Sequence, residues 1–82
     1  MDKIVVIFNM TKRNLSVDLE IPLDITTKEL LQGLNKAYGL EIDTQDIKQC
    51  YLKSENPIAL LKANRMLSEY GLHNGSIINY TE

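Results

Sequence analysis

A lone thiol, a lone imidazole and a few clustered carboxylates are the side chains of this 82-residue chain that could do chemistry. A catalytic thiol wants a nearby base and partial exposure. Cys50 falls at an inward position of a predicted strand, where a cysteine reads as a small core residue. His73 stands between Leu72 and Asn74 at a predicted turn, with no nucleophile or metal ligand at a suitable spacing, so it reads as a solvated imidazole. One cysteine and one histidine cannot furnish a four-ligand zinc site, a four-cysteine iron–sulfur site or an internal disulfide. Glu41, Asp43 and Asp46 lack the ligand spacing and internal glycine of a calcium loop and read as a solvated connector. Lys12-Arg13 is too small for a nucleic-acid footprint in a chain of net charge −2, and that charge offers no attraction to an anionic membrane either. No glycine-rich phosphate loop occurs. The expectation is a protein with no catalytic, metal or cofactor site: not an enzyme.

The elements that position these residues follow from periodicity. With 44% hydrophobic and 24% charged residues, two prolines and four glycines, the composition is that of an ordinary soluble domain. The length leaves no chain for a second core, so residues 1–82 are expected to form one domain. Ile4 to Phe8 predicts a strand, and Asn9 to Asn14 a polar turn. Leu15, Val17, Leu19 and Ile21 then alternate with polar residues, which predicts a half-buried strand pairing with the first as a hairpin and ended by Pro22.

Thr26 with Glu29 three residues on forms a capping box, Ile25 and Leu30 are placed for a hydrophobic staple, and Gly39 supplies a left-handed stop. These signals predict a helix over Thr27 to Tyr38. Its inward stripe is Leu30, Leu31, Leu34 and Ala37/Tyr38, with Lys28, Gln32, Asn35 and Lys36 facing water. Gly33 inside it marks either a close approach or a tolerated cost. Ile47 to Lys53 predicts a third strand with Cys50 and Leu52 inward and Gln49, Tyr51 and Lys53 outward, followed by a turn at Ser54 to Pro57. Ile58 to Lys62 predicts a fourth strand, Ala63-Asn64 a tight turn, and Leu67 to Leu72 one helical turn closed at Gly71. After an Asn74-Gly75 turn, Ser76 to Thr81 predicts the last strand. An apolar start of five residues fits neither a signal peptide nor a membrane span, so a cytoplasmic location without membrane insertion is expected.

This element order, and above all the run from Leu61 through Asn64-Arg65, Leu67-Ser68-Glu69-Tyr70 and Gly71-Leu72, resembles ubiquitin. Asn64 stands where ubiquitin has glycine, Glu69 where it has aspartate and Leu72 where it has isoleucine. Asparagine tolerates positive φ better than most residues. The resemblance implies an α+β, ubiquitin-like β-grasp fold, ββαββ(short helix)β, with a mixed sheet in order 2-1-5-3-4 and one helix across one face. It also implies a structural role for Tyr70, whose hydroxyl would close the preceding loop by bonding main chain near Lys62 or Ala63.

Within that superfamily, Leu67, Tyr70, Gly71, Leu72, Asn74 and Gly75 resemble the YukD/EsaB family of type VII secretion systems. That implies a non-catalytic cytoplasmic accessory subunit, peripheral to the membrane only through the secretion complex. Its partners would be protein components of that machinery, a membrane subunit or the ATPase. Asn79-Tyr80-Thr81-Glu82 carries no Gly-Gly, so neither conjugation nor thiocarboxylation is expected. Two alternatives stay open: a β-grasp carrier whose glycine tail is missing or processed, and a ubiquitin-like adaptor unrelated to secretion. The oligomeric state is left open.

Period two together with the implied order places Val5, Ile7, Tyr51 and Ile77 on the sheet face away from the helix, a candidate partner surface anchored by the tyrosine. The competing reading is that these β-branched side chains merely reflect strand propensity. Thr26, Glu29, Asn64, Tyr70 and Gly71 are the candidate structural residues.

Overall fold

The computed structural model describes residues 3–46 and 50–80. Alternating burial builds a hairpin of β1 (Lys3–Met10) and β2 (Leu15–Pro22), with Ile4, Val6, Phe8 and Met10 turned inward. A short 3₁₀ turn, Thr11–Arg13, and left-handed Asn14 join them. Helix α1 (Thr27–Tyr38) follows, then β3 (Tyr51–Glu55), β4 (Ala59–Lys62), a 3₁₀ turn at Leu67–Tyr70 and β5 (Ile77–Tyr80). The sheet order is β2-β1-β5-β3-β4, with β1 and β5 parallel and the other pairs antiparallel. Leu30, Leu31 and Leu34 of α1 pack in one core with Phe8, Leu52, Leu61, Leu67 and Ile78.

The start of α1 satisfies all four amides that a helix leaves unpaired. Thr27 N–H donates to the Arg65 carbonyl and Lys28 N–H to the Ala63 carbonyl, both at 3.1 Å. Glu29 N–H donates to Thr26 Oγ1 and Thr26 N–H to Glu29 Oε1, both at 3.2 Å, and the ordinary helical ladder begins with Leu30 N–H on the Thr26 carbonyl at 3.1 Å. The 63–68 segment is therefore docked under the helix, and Leu67 and Ser68 N–H groups donate back to Ile25 and Leu23. Because only the Glu29 amide depends on the Thr26 side chain, Thr26→Ala is expected to cost about 1 kcal/mol in a urea titration. At the other end, Gly39 takes φ 60°, and the Arg13 guanidinium donates to the Tyr38 and Gly39 carbonyls at 2.7 and 3.1 Å, a cation on the negative end of the helix. Thr27 Oγ1 is buried and has no hydrogen-bond partner among the described residues.

Several local expectations are corrected. The first turn begins at Thr11, since Asn9 and Met10 extend β1 and Met10 is buried. Leu15 is exposed and Val17 and Leu19 only half-buried, because β2 is an edge strand and its burial fades toward Leu15. Ala37 is exposed, outside the inward stripe. Asn35, expected in water, clamps the following loop: its Nδ2 donates to the Ile42 carbonyl at 2.8 Å and its Oδ1 accepts the Ile42 N–H at 3.1 Å.

Strand β3 continues through Ser54 and Glu55, where a turn was expected; buried Ser54 Oγ donates to the Pro57 carbonyl at 2.7 Å. The expected start of this strand at Ile47 to Gln49, including outward Gln49, lies outside the described residues, as does the expected end of the last strand at Thr81. Ile58 stands outside β4 and is 90% exposed. Asn64 is not left-handed; Asn56, at the cis Asn56–Pro57 bond, is.

Candidate functional site

Cys50 is fully buried, and burial pushes its thiol above the ordinary value, with Lys28 pulling it down and Asp43 adding to the rise. It stays a protonated thiol at neutral pH. His73 is exposed, its Nδ1 donating to the Asn74 carbonyl at 2.9 Å, and its backbone N–H donates to Ser76 Oγ. Among the described residues, no group of three or more His, Cys, Asp or Glu could hold a metal ion, and no helix is long and apolar enough to cross a membrane.

What remains is surface, and the register defines it. Cross-strand partners share a face. Ile7 pairs with Ile77, which pairs with Glu55, and Asp18 lies opposite Ile7 on β2. The next row runs Ser16, Asn9, Asn79, Lys53 and Leu60. Both rows lie opposite the helix-covered side. Val5, 44% exposed, adjoins Ile7 along β1, so Val5, Ile7 and Ile77 form a contiguous β-branched patch on the two central strands.

Tyr51 shares that face but stands apart from the patch. It lies four residues before Glu55 on β3, about 13 Å from the Ile77 row, with Asn79 and Lys53 between them. Its apolar neighbour is Leu60 on β4, diagonal to it across the pair, and beyond Leu60 is the exposed Ile58. Between the two patches runs a hydrogen-bonded ladder over four strands. Ser16 Oγ donates to Asn9 Oδ1, Asn9 Nδ2 donates to Asn79 Oδ1 at 3.0 Å, and Asn79 Nδ2 donates to Glu55 Oε2 at 2.8 Å. A shallow groove of about 390 Å³ opens beside it, lined by Lys53, Glu55, Ile58, Leu60 and Asn79. Asn9, Glu55, Ile58 and Leu60 had no surface role in the sequence reading. Leu60 could have been found by period two against inward Leu61, whereas the ladder depends on long-range register.

The structural residues lie elsewhere. Tyr70 hydroxyl accepts the Lys62 N–H at 2.9 Å. Gly71 ends the second 3₁₀ turn at φ 70°, a conformation that favours glycine. Asn64 is an exposed turn residue whose neighbours Ala63 and Arg65 supply the carbonyls under α1.

A sequence model of the family described as "WXG100 protein secretion system (Wss), protein YukD" matches residues 4–79. No curated protein matches the sequence. Among solved structures, the one described as "Molecular Mimicry of SUMO promotes DNA repair" superposes with TM-score 0.73 at 16% identity, covering 100% of this chain and 94% of that one. The C-terminal ubiquitin-like domain of mouse tubulin-specific chaperone e gives TM-score 0.70 at 12% identity, covering 98% and 88%. A design based on ubiquitin gives TM-score 0.66 at 15% identity, covering 94% and 84%. At these identities the likeness is one of fold: the chain has the ubiquitin-like β-grasp architecture.

Proposed function

Because the chain belongs to the YukD family of the WXG100 protein secretion system, we propose that it is a non-catalytic, single-domain cytoplasmic subunit of that machinery, acting by contact with another of its proteins. The contact surface is the sheet face bearing Val5, Ile7 and Ile77, with Tyr51 and Leu60 as a second apolar point across the polar ladder. The partner is a membrane subunit or the ATPase. The observation that carries the contact reading is the patch itself, three β-branched side chains adjacent on the two central strands and left uncovered by the helix. Apolar area placed there is stabilised by a partner more than by water. The ladder beside it holds four strands in one register and keeps the two apolar points at a fixed separation. Rigid spacing of this kind favours a preformed surface, which binds at little ordering cost.

Photo-crosslinking tests this reading in cells that carry the intact secretion machinery. A photoreactive residue at Val5 is expected to give a discrete adduct whose partner, sequenced by mass spectrometry, is a component of that machinery. The same residue at Gln32, on the exposed side of α1, is expected to give none. An adduct from Gln32 alone would place the contact on the helix side, and no machinery component from either position would defeat the reading.

A further inference from the structure

Strand β2 is the edge of the sheet, and its open side is defined by bonds on the other side of β1. Val5 carbonyl accepts the Gly75 N–H and Ile7 N–H donates to the Ser76 carbonyl, both at 2.9 Å. A strand residue turns its N–H and C=O to one side, and the next residue turns them to the other. Val5 and Ile7 therefore serve the β5 side, and Ile4, Val6, Phe8 and Met10 serve β2. Their partners Ile21, Leu19, Val17 and Leu15 spend their main chain on β1. The main-chain groups of Ser16, Asp18 and Glu20 face outward and have no hydrogen-bond partner among the described residues, so they can pair with another strand.

Beneath that edge, between β2 and α1, runs a groove of about 240 Å³ lined by Leu19, Ile21, Ile25, Leu30, Gly33 and Leu34 among others. A Cβ placed on Gly33 would meet no atom within 4 Å, so no packing of this chain demands the glycine, and the groove is open at that point. Glu20 and Glu29 are the acidic residues lining the groove, and no Lys or Arg lines it; pairing with Val5 turns the Glu20 side chain to the opposite face of the sheet. Asp18 extends the negative charge along the edge. Lys3 approaches Glu20 at 3.8 Å, but both side chains are more than half exposed, and a pair of that kind is easily exchanged for another.

A second copy of this chain is a poor occupant, because β2 against β2 would bring the Asp18 and Glu20 carboxylates of both copies together. We propose that the open β2 edge and the β2–α1 groove bind an extended segment of another protein that alternates apolar and basic side chains. Its main chain pairs with Ser16, Asp18 and Glu20, its apolar residues enter the groove, and its basic residues meet Asp18 and Glu20 on the other face. This site adjoins the Val5–Ile7–Ile77 face, because Glu20 and Asp18 lie opposite Val5 and Ile7, but the groove on the helix side belongs to it alone, so a groove variant tests it without touching that face.

The test uses the folded chain and labelled peptides, read by fluorescence anisotropy and amide NMR shifts. The probe is acetyl-Val-Lys-Val-Lys-Val-Lys-Val-amide, compared with one carrying serine for every valine and one carrying glutamate for every lysine. The valine–lysine peptide is expected to saturate and to shift the amides of Ser16, Asp18 and Glu20. The serine peptide is expected not to bind, and the glutamate peptide to bind about tenfold more weakly or worse. Gly33→Leu fills the groove and improves helix propensity, so it is expected to weaken binding about tenfold with thermal stability kept or raised. Asp18→Lys with Glu20→Lys is expected to reverse the preference between the lysine and glutamate peptides. No saturable binding, equal binding of the two charged peptides, shifts confined to Val5, Ile7 and Ile77, or a Gly33→Leu chain that binds normally would each overturn the proposal.

Discussion

Phe8→Ala is expected to lower stability by about 3–5 kcal/mol, the usual cost of deleting a fully buried aromatic ring. Phe8 has no exposed surface and lies on a central strand, paired with Val17 on one side and Ile78 on the other. Its ring faces Tyr38 at the end of α1, with centroids 6.1 Å apart and planes tilted by 39°. The side chain thus joins three strands to the helix. Small domains have only about 5–15 kcal/mol in total, so the variant should sit near the unfolding threshold at ordinary temperature. Urea denaturation followed by circular dichroism gives the number. A loss under about 1 kcal/mol would mean that the core closes over the gap and that Phe8 is not its centre.

The parts of this fold that could be read in advance are those encoded locally. Helix α1 spans the residues expected of it because its bounds rest on short-range chemistry: the Thr26–Glu29 box at the start and left-handed Gly39 at the end. The strand order and the single helix also match the expected arrangement. Strand ends were harder, since they are decided by neighbours. Asn9 looked like a turn residue, yet on β1 it is a sheet-face position whose amide is held by Ser16 and Asn79 from the two flanking strands. Ser54 looked like a turn former, yet its hydroxyl finds the Pro57 carbonyl and lets β3 run on. Leu15 looked inward by period two, but alternation fixes only which side a residue faces, and burial there fades along the sheet edge.

The surface shows the same division. Period two assigns Val5, Ile7, Ile77 and Tyr51 to a face, but how far apart they stand depends on register between strands distant in sequence. The parallel β1–β5 pairing sets Ile7 beside Ile77, and the antiparallel β3–β5 pairing carries Tyr51 away from both. Leu60 and Ile58, not the central strands, are its apolar company. The polar ladder could not be foreseen, because Asn9 and Asn79 are 70 residues apart and meet only in the folded sheet.

The claim that the central-strand face is the contact surface is tested most directly by measuring export with Ile7→Lys and Ile77→Thr combined. The pair is chosen to spare the fold. A lysine at position 7 would lie opposite Asp18, a favourable cross-strand charge pair, and threonine at position 77 keeps a β-branched side chain in β5. Both isoleucines are only partly buried, so the stability cost should stay under about 2 kcal/mol, checked by the same urea titration. In a strain whose own copy is deleted, the double variant is expected to reduce export of WXG100 proteins to the level of the deletion, while the chain remains folded and present at normal abundance. Normal export by a folded double variant would contradict the account.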